Sequence, residues 1–280
     1  MGYPVSVWID YYRELPVEEA IRLLSQAGFQ YGELSDIHLP GIMERGDPAR
    51  EGARLKAFAD TLGYTIPQAH LSYQQGLTDD TVPQKLIPEL DMMAALGVKK
   101  AVLHIGGGQE MEQEARYAAW IRNLEILSRY VEGTGVTLCL ENLMITPESR
   151  TAQSLLQIIK DAGDKNLAIC LDTGHLHFVN CQGLGKQTQS EFIRTAGDKL
   201  QALHIADNNG LGDTHQMPYS ARYGIDWKDV MEGLRDIHYQ GLFNFEIVGE
   251  WNGTPAIKAA KLAYVQKLAE QLLSDEFINS

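Results

Sequence analysis

Eight short apolar runs punctuate this chain, and a stretch of helical periodicity follows each of them. The runs are YPVSVWID (3–10), YGELSD (31–36), TIPQAHL (65–71), KAVLHIGG (100–107), VTLCLEN (136–142), LAICLDT (167–173), LQALHIAD (200–207) and LFNFEIV (242–248). Several are nearly continuous in apolar residues, as strands of a parallel sheet buried on both faces must be. VEEAIRLLSQAG (17–28) places Ala20, Leu23, Leu24 and Ala27 at helical spacing and stops at Gly28, a C-cap signal. AREGARLKAFADTLG (49–63) and KLIPELDMMAALG (85–97) stop in the same way at Gly63 and Gly97. Further helices are expected near 113–132, 151–163, 188–197, 226–238 and 254–274. Eight strands alternating with eight helices predict an α/β fold, a closed (β/α)8 barrel. An open doubly wound sheet is the other use of such alternation. The count favours closure, and no GxGxxG opens a helix after the first run. No linker or composition break divides residues 1–280, which read as a single barrel domain.

Composition narrows the function classes. A 44% hydrophobic content supplies a sizeable core, and the formal net charge of −13 disfavours a broad grip on phosphate backbones. Nucleic acid is therefore not an expected partner, although a local metal-lined pocket is compatible with this charge. The three cysteines, Cys139, Cys170 and Cys181, show neither paired spacing nor a CxxC knuckle. They read as free thiols in a reducing compartment. The start of the sequence shows no basic stretch followed by an apolar run, and no apolar stretch is long enough for a bilayer, so a cytoplasmic protein is expected. A homo-oligomer is left open.

In a barrel of this kind, chemistry collects where strands end and βα loops begin. His70 ends strand three, His104 lies on strand four, and Glu141 ends strand five. Asp172 ends strand six, with His175 just beyond. Strand seven carries His204, and its loop carries Asp213 and His215. Strand eight carries Glu246. Each residue alone has an ordinary use. A strand-end histidine serves as a hydrogen-bonded structural group, and an aspartate after a strand caps a helix. Asp172 could cap a helix over 173–178, and Asp207 could stabilise a turn with Asn208. His38, His177 and His238 lie away from strand ends and read as structural.

The set resists that explanation. Glu141 and Glu246 interrupt otherwise apolar strands, and buried carboxylates facing one mouth repel unless compensated. A divalent cation would resolve the conflict, held by Glu141, Asp172, His204 and Glu246. Mixed oxygen and nitrogen donors suit Mn²⁺, Co²⁺, Zn²⁺ or Mg²⁺. His70, His104, His175, Asp213 and His215 would bind further metal or substrate. Trp8 and Trp251 could wall the apolar face of a substrate, or simply pack at the rim. Glu33, near the end of strand two, could hydrogen-bond a substrate hydroxyl or a metal-bound histidine.

LENL (140–143), LDTGH (171–175), HIADNNGLGDTH (204–215) and FEI (245–247) together resemble the xylose isomerase-like TIM barrels, a superfamily of sugar isomerases and epimerases that also contains endonuclease IV. The resemblance runs through nearly the whole chain. Its ketose isomerase and epimerase branch implies one divalent ion on Glu141, Asp172, His204 and Glu246, with the two glutamates as acid and base and His175 on substrate oxygens. Proton transfer would pass through a metal-stabilised enediolate of a ketose or related polyol ketone. The endonuclease IV branch implies instead three Zn²⁺ held by His70, His104, Glu141, Asp172, His175, His204, Asp213, His215 and Glu246, cleaving abasic DNA. The acidic charge, the short loop from His204 to Asp213 and the scarcity of cations in the loops after strands two and three favour the sugar. The arginine that the epimerases place after the strand-seven histidine is missing from HIADNNGLGDTH; Arg222 comes later, in MPYSARYGIDW. A non-catalytic or partner-dependent metal- and sugar-binding barrel is the third class, against which the complete ligand set argues.

Overall fold

Period-two alternation on eight parallel strands sorts this chain into an inside and an outside. The computed structural model describes residues 3–72, 76–274 and 276–277. The strands are β1 (Val5–Trp8), β2 (Tyr31–Leu34), β3 (Thr65–His70), β4 (Lys100–Leu103), β5 (Thr137–Glu141), β6 (Leu167–Asp172), β7 (Leu200–His204) and β8 (Phe243–Phe245). All pair in parallel, in the order β7-β6-β5-β4-β3-β2-β1-β8. A parallel bridge between Ile205 and Phe245 joins the two ends. Ile205 donates its amide to Asn244 O at 2.8 Å, and Glu246 donates to Ile205 O at 3.1 Å. The expected (β/α)8 barrel is thus the fold observed.

The helices are α1 (Val17–Gln26), α2 (Leu39–Met43), α3 (Pro48–Thr61), α4 (Val82–Leu96), α5 (Gln113–Tyr130), α6 (Ala152–Asp161), α7 (Thr173–Cys181), α8 (Gln189–Ala196), α9 (Trp227–Asp236) and α10 (Pro255–Leu272). All eight expected helices occur. Gly28, Gly63 and Gly97, read as stop signals, have φ of 96°, 64° and 94°, the left-handed region that ends helices. The short α2 was not expected. The helix over 173–178 existed only as an alternative use of Asp172, whose carboxylate does accept the His175 amide at 2.6 Å to cap α7. No helix among the described residues is long and apolar enough to cross a membrane.

Inside the barrel, Val102, Cys139, Ala168, Cys170 and Ala202 form a small apolar cluster of their own. Two residues further along the same strands, on the same face, stand His104, Glu141, Asp172 and His204. Small side chains below thus give the titratable layer a floor. Cys139 and Cys170 are buried and free, and Cys181 is exposed and free.

Outside the barrel, α3 and α4 pack closely at Gly52. A Cβ there would lie 2.2 Å from Met92 O and 3.2 Å from the Ala95 methyl group. In an open helix, Gly→Ala stabilises by about 1 kcal/mol. Here Gly52→Ala should instead destabilise by about 1–3 kcal/mol through overpacking, read as a lowered thermal midpoint. A raised midpoint would show that the two helices can part.

Candidate metal centre and mouth

Strand ends deliver one side chain each to the same point. Glu141, Asp172 and His204 are the last residues of β5, β6 and β7, while Glu246 falls one residue beyond β8. One ligand atom from each of the four lies within 4.8 Å of all the others. Two oxygens on opposite sides of an ion, each about 2.2 Å from it, stand about 4.4 Å apart, so the spacing suits a single cation. His204 Nδ1 lies 3.1 Å from Glu141 Oε1 and 3.2 Å from Glu246 Oε2. Asp172 Oδ2 and Glu246 Oε2 are buried and complete no well-aligned hydrogen bond among the described residues. A buried carboxylate oxygen left in that state fits a cation ligand. These residues could hold a metal.

A second triad adjoins the first. His70 ends β3, His104 follows β4 by one residue, and both approach Glu141 Oε2, at 3.2 and 2.7 Å from their Nε2 atoms. With Glu141 they too form a cluster able to hold a metal. On the other flank, His175 gives its Nδ1 side to Asn142 O at 2.8 Å, and its Nε2 lies 3.3 Å from Asp213 Oδ2. His215 Nε2 approaches the same oxygen at 3.1 Å, and its ring stacks on Trp8 with centroids 5.2 Å apart. All nine strand-end and loop residues read from the sequence therefore come together.

Among these side chains alone, imidazoles serve as the countercharges. Burial would raise the Glu141 carboxyl, but His204 and His104 outweigh it and hold its pKa well below the usual carboxylate range. Burial raises Glu246 well above that range, helped by the neighbouring Asp172 and Glu141 carboxylates and opposed by His204. Burial works against the charged form of His204, yet Cys170, Glu246, Glu33 and Glu141 surround it and its pKa rises well above the ordinary value. For His175, burial is likewise outweighed by Asp172 and Asp213, and its pKa is raised to about 10.

Above this floor opens a cavity of about 680 Å³, lined among others by Trp8, Arg13, His104, Glu141, His215 and Glu246. A cavity of that size suits a small molecule. Trp251 is not part of it: the ring is 71% exposed, with the Arg13 guanidinium 5.1 Å from its centroid. Arg222 lies over Tyr223, outside the lining. Arg13, held against Asp10 through Nε–Oδ1 at 3.2 Å and Nη2–Oδ2 at 2.5 Å, is the arginine of the mouth. The sequence reading missed the Asp10–Arg13 pair, which follows β1 in a short 3-10 turn (Ile9–Tyr12) that gives no periodic signal. Glu33 sits beneath His204 rather than in the cavity lining. The loop after strand three reaches residues 73–75, which lie outside the described residues.

A family model described as xylose isomerase-like TIM barrel matches residues 21–268. The chain belongs to that family. Among its relatives, a D-psicose 3-epimerase of Agrobacterium fabrum is 25% identical over 60% of this chain and 54% of its own length. A fructoselysine 3-epimerase of Escherichia coli O157:H7 is 24% identical over 89% of this chain and 91% of its own. This chain thus spans about half of the first and most of the second. A crystal structure of a D-psicose 3-epimerase in the presence of D-fructose superposes with a TM-score of 0.77 at 18% identity, covering 96% of this chain and 99% of the other.

The loop after β7 in this xylose isomerase-like barrel is organised by Asp207, which is fully buried. Its Oδ1 accepts the amides of Asn208 at 2.9 Å and Ile225 at 3.0 Å, and its Oδ2 accepts the Tyr219 amide at 3.1 Å and the Trp227 indole N–H at 3.2 Å. Its backbone pairs with Gln216 in both directions, at 2.8 and 2.9 Å. This anchor returns Asp213 and His215 to the mouth, with His215 itself at φ 44°. Asp207→Asn would turn one acceptor into a donor facing donors. It should destabilise the protein by about 1–3 kcal/mol and speed proteolysis within 208–226. An unchanged cleavage pattern and midpoint would show that the loop holds without this anchor.

Proposed function

We propose that the chain is a divalent-metal-dependent isomerase or epimerase acting on a ketose or related polyol ketone. The observation that carries this reading is the convergence of Glu141, Asp172, His204 and Glu246 within 4.8 Å at the floor of the cavity. Family membership and the sugar 3-epimerases among the relatives support it. The ion would be Mn²⁺, Co²⁺, Mg²⁺ or Zn²⁺, since three carboxylates and one imidazole suit each. Bound there, it would act as a Lewis acid that polarises the ketose carbonyl and stabilises the negative charge developing on its oxygen.

The residues of the chain do the rest. Glu141 and Glu246 are the acid–base pair. One removes the proton from the carbon beside the carbonyl, and the other delivers a proton to the opposite face, which inverts that carbon. Delivery to the neighbouring carbon, with a matching proton shift between oxygens, exchanges ketose for aldose. Burial pushes the Glu246 carboxyl up while His204 and His104 hold Glu141 down, the pattern of one acid and one base. His175 binds a substrate hydroxyl, with Asp213 and His215 behind it. Trp8, braced by its indole N–H on Ile247 O at 2.8 Å, offers an apolar wall.

A second reading has an observation of its own. The His70–His104–Glu141 triad, with Asp213 and His215 opposite, completes the donor set of a trinuclear zinc phosphodiesterase. Against it stands a lining in which Arg13 is the sole Arg or Lys among the described residues.

Calorimetric titration with Mn²⁺ and, separately, with Zn²⁺ decides between them. One ion per chain is expected, and three tightly held zinc ions would overturn the sugar reading in favour of phosphoester cleavage. The same titration has a pH signature. The pKa values of His204 and Glu246 are both raised, so an incoming ion should displace protons and its apparent affinity should rise with pH. A flat profile would mean that the ion binds without these two groups. Glu246→Gln should keep the fold and much of the metal while losing at least about a hundredfold in turnover of ketose epimers. Wild-type turnover in that variant would overturn the two-glutamate scheme.

A further inference from the structure

A second polar layer lies under the ligands and is wholly buried: Ser6 on β1, Glu33 on β2, Gln68 on β3 and Asn244 on β8. We propose that Glu33 is a positioning residue that holds His204 in the Nε2–H form, leaving Nδ1 as the nitrogen turned to the ion. This assignment rests on the metal centre proposed above.

Glu33 Oε1 lies 3.0 Å from His204 Nε2. Glu33 Oε2 accepts from Gln68 Nε2 at 3.1 Å and from Asn244 Nδ2. The orientation of both amides is set by further partners. Ser6 Oγ donates to Asn244 Oδ1 at 2.7 Å, and Gln68 Nε2 also reaches Leu203 O at 3.3 Å. Each neighbour of Glu33 in this network is therefore a donor, and an ionised carboxylate, acceptor-only on both oxygens, satisfies all of them at once. On the far edge of the ring, Nδ1 faces Glu141 and Glu246 at 3.1 and 3.2 Å. A neutral imidazole binds metal through one nitrogen while the other carries the proton, and the hydrogen bond to that proton fixes which is which. Half of the barrel, β1, β2, β3 and β8, thereby sets the tautomer of a residue on β7.

The charge of Glu33 has no Lys or Arg partner among the described residues; His204 is its one ion-pair partner there. Glutamine has nearly the same shape but cannot replace it. If its amide nitrogen faces Gln68 and Asn244, donors oppose donors. If it faces His204, it demands the wrong tautomer, with Nε2 as acceptor and the proton on the ligand nitrogen.

The test is Glu33→Gln titrated with Mn²⁺ by calorimetry beside the wild type, together with side-chain nitrogen NMR of the zinc-loaded, ¹⁵N-labelled wild type. The expected results are a roughly 10–100-fold loss of Mn²⁺ affinity in the variant and, in the wild type, a His204 ring protonated on Nε2 with the metal shift on Nδ1. Equal Mn²⁺ affinity in the two proteins, or ligation through Nε2, would overturn the role of Glu33 while leaving the metal centre intact. The NMR arm needs no variant, so it decides even if Glu33→Gln does not fold. Failure of the wild type to take up any ion would overturn the metalloenzyme reading and this assignment with it.

Discussion

Carboxylates do not gather in a barrel interior unless something positive meets them. Glu33, Glu141, Asp172 and Glu246 are all at or below 5% exposure, and no arginine or lysine pairs with any of them among the described residues. Removing such groups from water costs several kcal/mol each when left uncompensated. Their balance here is imidazole, and with an ion bound, metal. Most of the local architecture follows from this demand. Small residues make room beneath, strand ends bring the ligands to one level, and buried amides receive the lone pairs left over.

That demand divides the barrel into two halves. Beneath the ligands, β4 to β7 supply the small apolar cluster of Val102, Cys139, Ala168, Cys170 and Ala202, whose low polarity strengthens every interaction above it. β1, β2, β3 and β8 supply Ser6, Glu33, Gln68 and Asn244, a connected network whose one charged member meets His204. One half floors the site with small apolar side chains; the other meets the Nε2 edge of the His204 ring. The loops serve the same end. Asn142 and Asp172 exchange hydrogen bonds at 2.7 and 3.0 Å, locking the ends of β5 and β6 together, and Asp207 shapes the loop that carries Asp213 and His215.

The candidate ligand set was legible because a charged residue inside an apolar strand is conspicuous: Glu141 in LCLEN and Glu246 in FNFEI break the apolar pattern. Asp172 shows the limit of choosing between explanations, since it caps α7 through one oxygen and leaves the other without a hydrogen bond in the four-residue cluster. Glu33 could be read toward a sugar hydroxyl or a histidine, and its place under His204 follows from register across four strands, which no local window contains. Trp251 looked like a wall because it follows strand eight, but the chain there turns outward and the ring lies beneath Arg13 at the surface. Arg13 was passed over because its role depends on Asp10 in a turn without periodicity.

The sequence by itself determined the fold class, the number and order of the strands and the eight helices that alternate with them, the glycines that end α1, α3 and α4, and the identity of the residues at the strand ends. These are properties of alternation and local propensity, and every window of a dozen residues carries them. Tertiary structure alone decided which nitrogen of His204 meets Glu141 and Glu246 and which meets Glu33, which buried amides satisfy Glu33, which arginine enters the mouth and how far the β7 loop folds back. Those features depend on contacts between residues far apart in the chain, 211 positions for Glu33 and Asn244. Such contacts are fixed only once eight strands have closed on one another and the charges inside have found their partners.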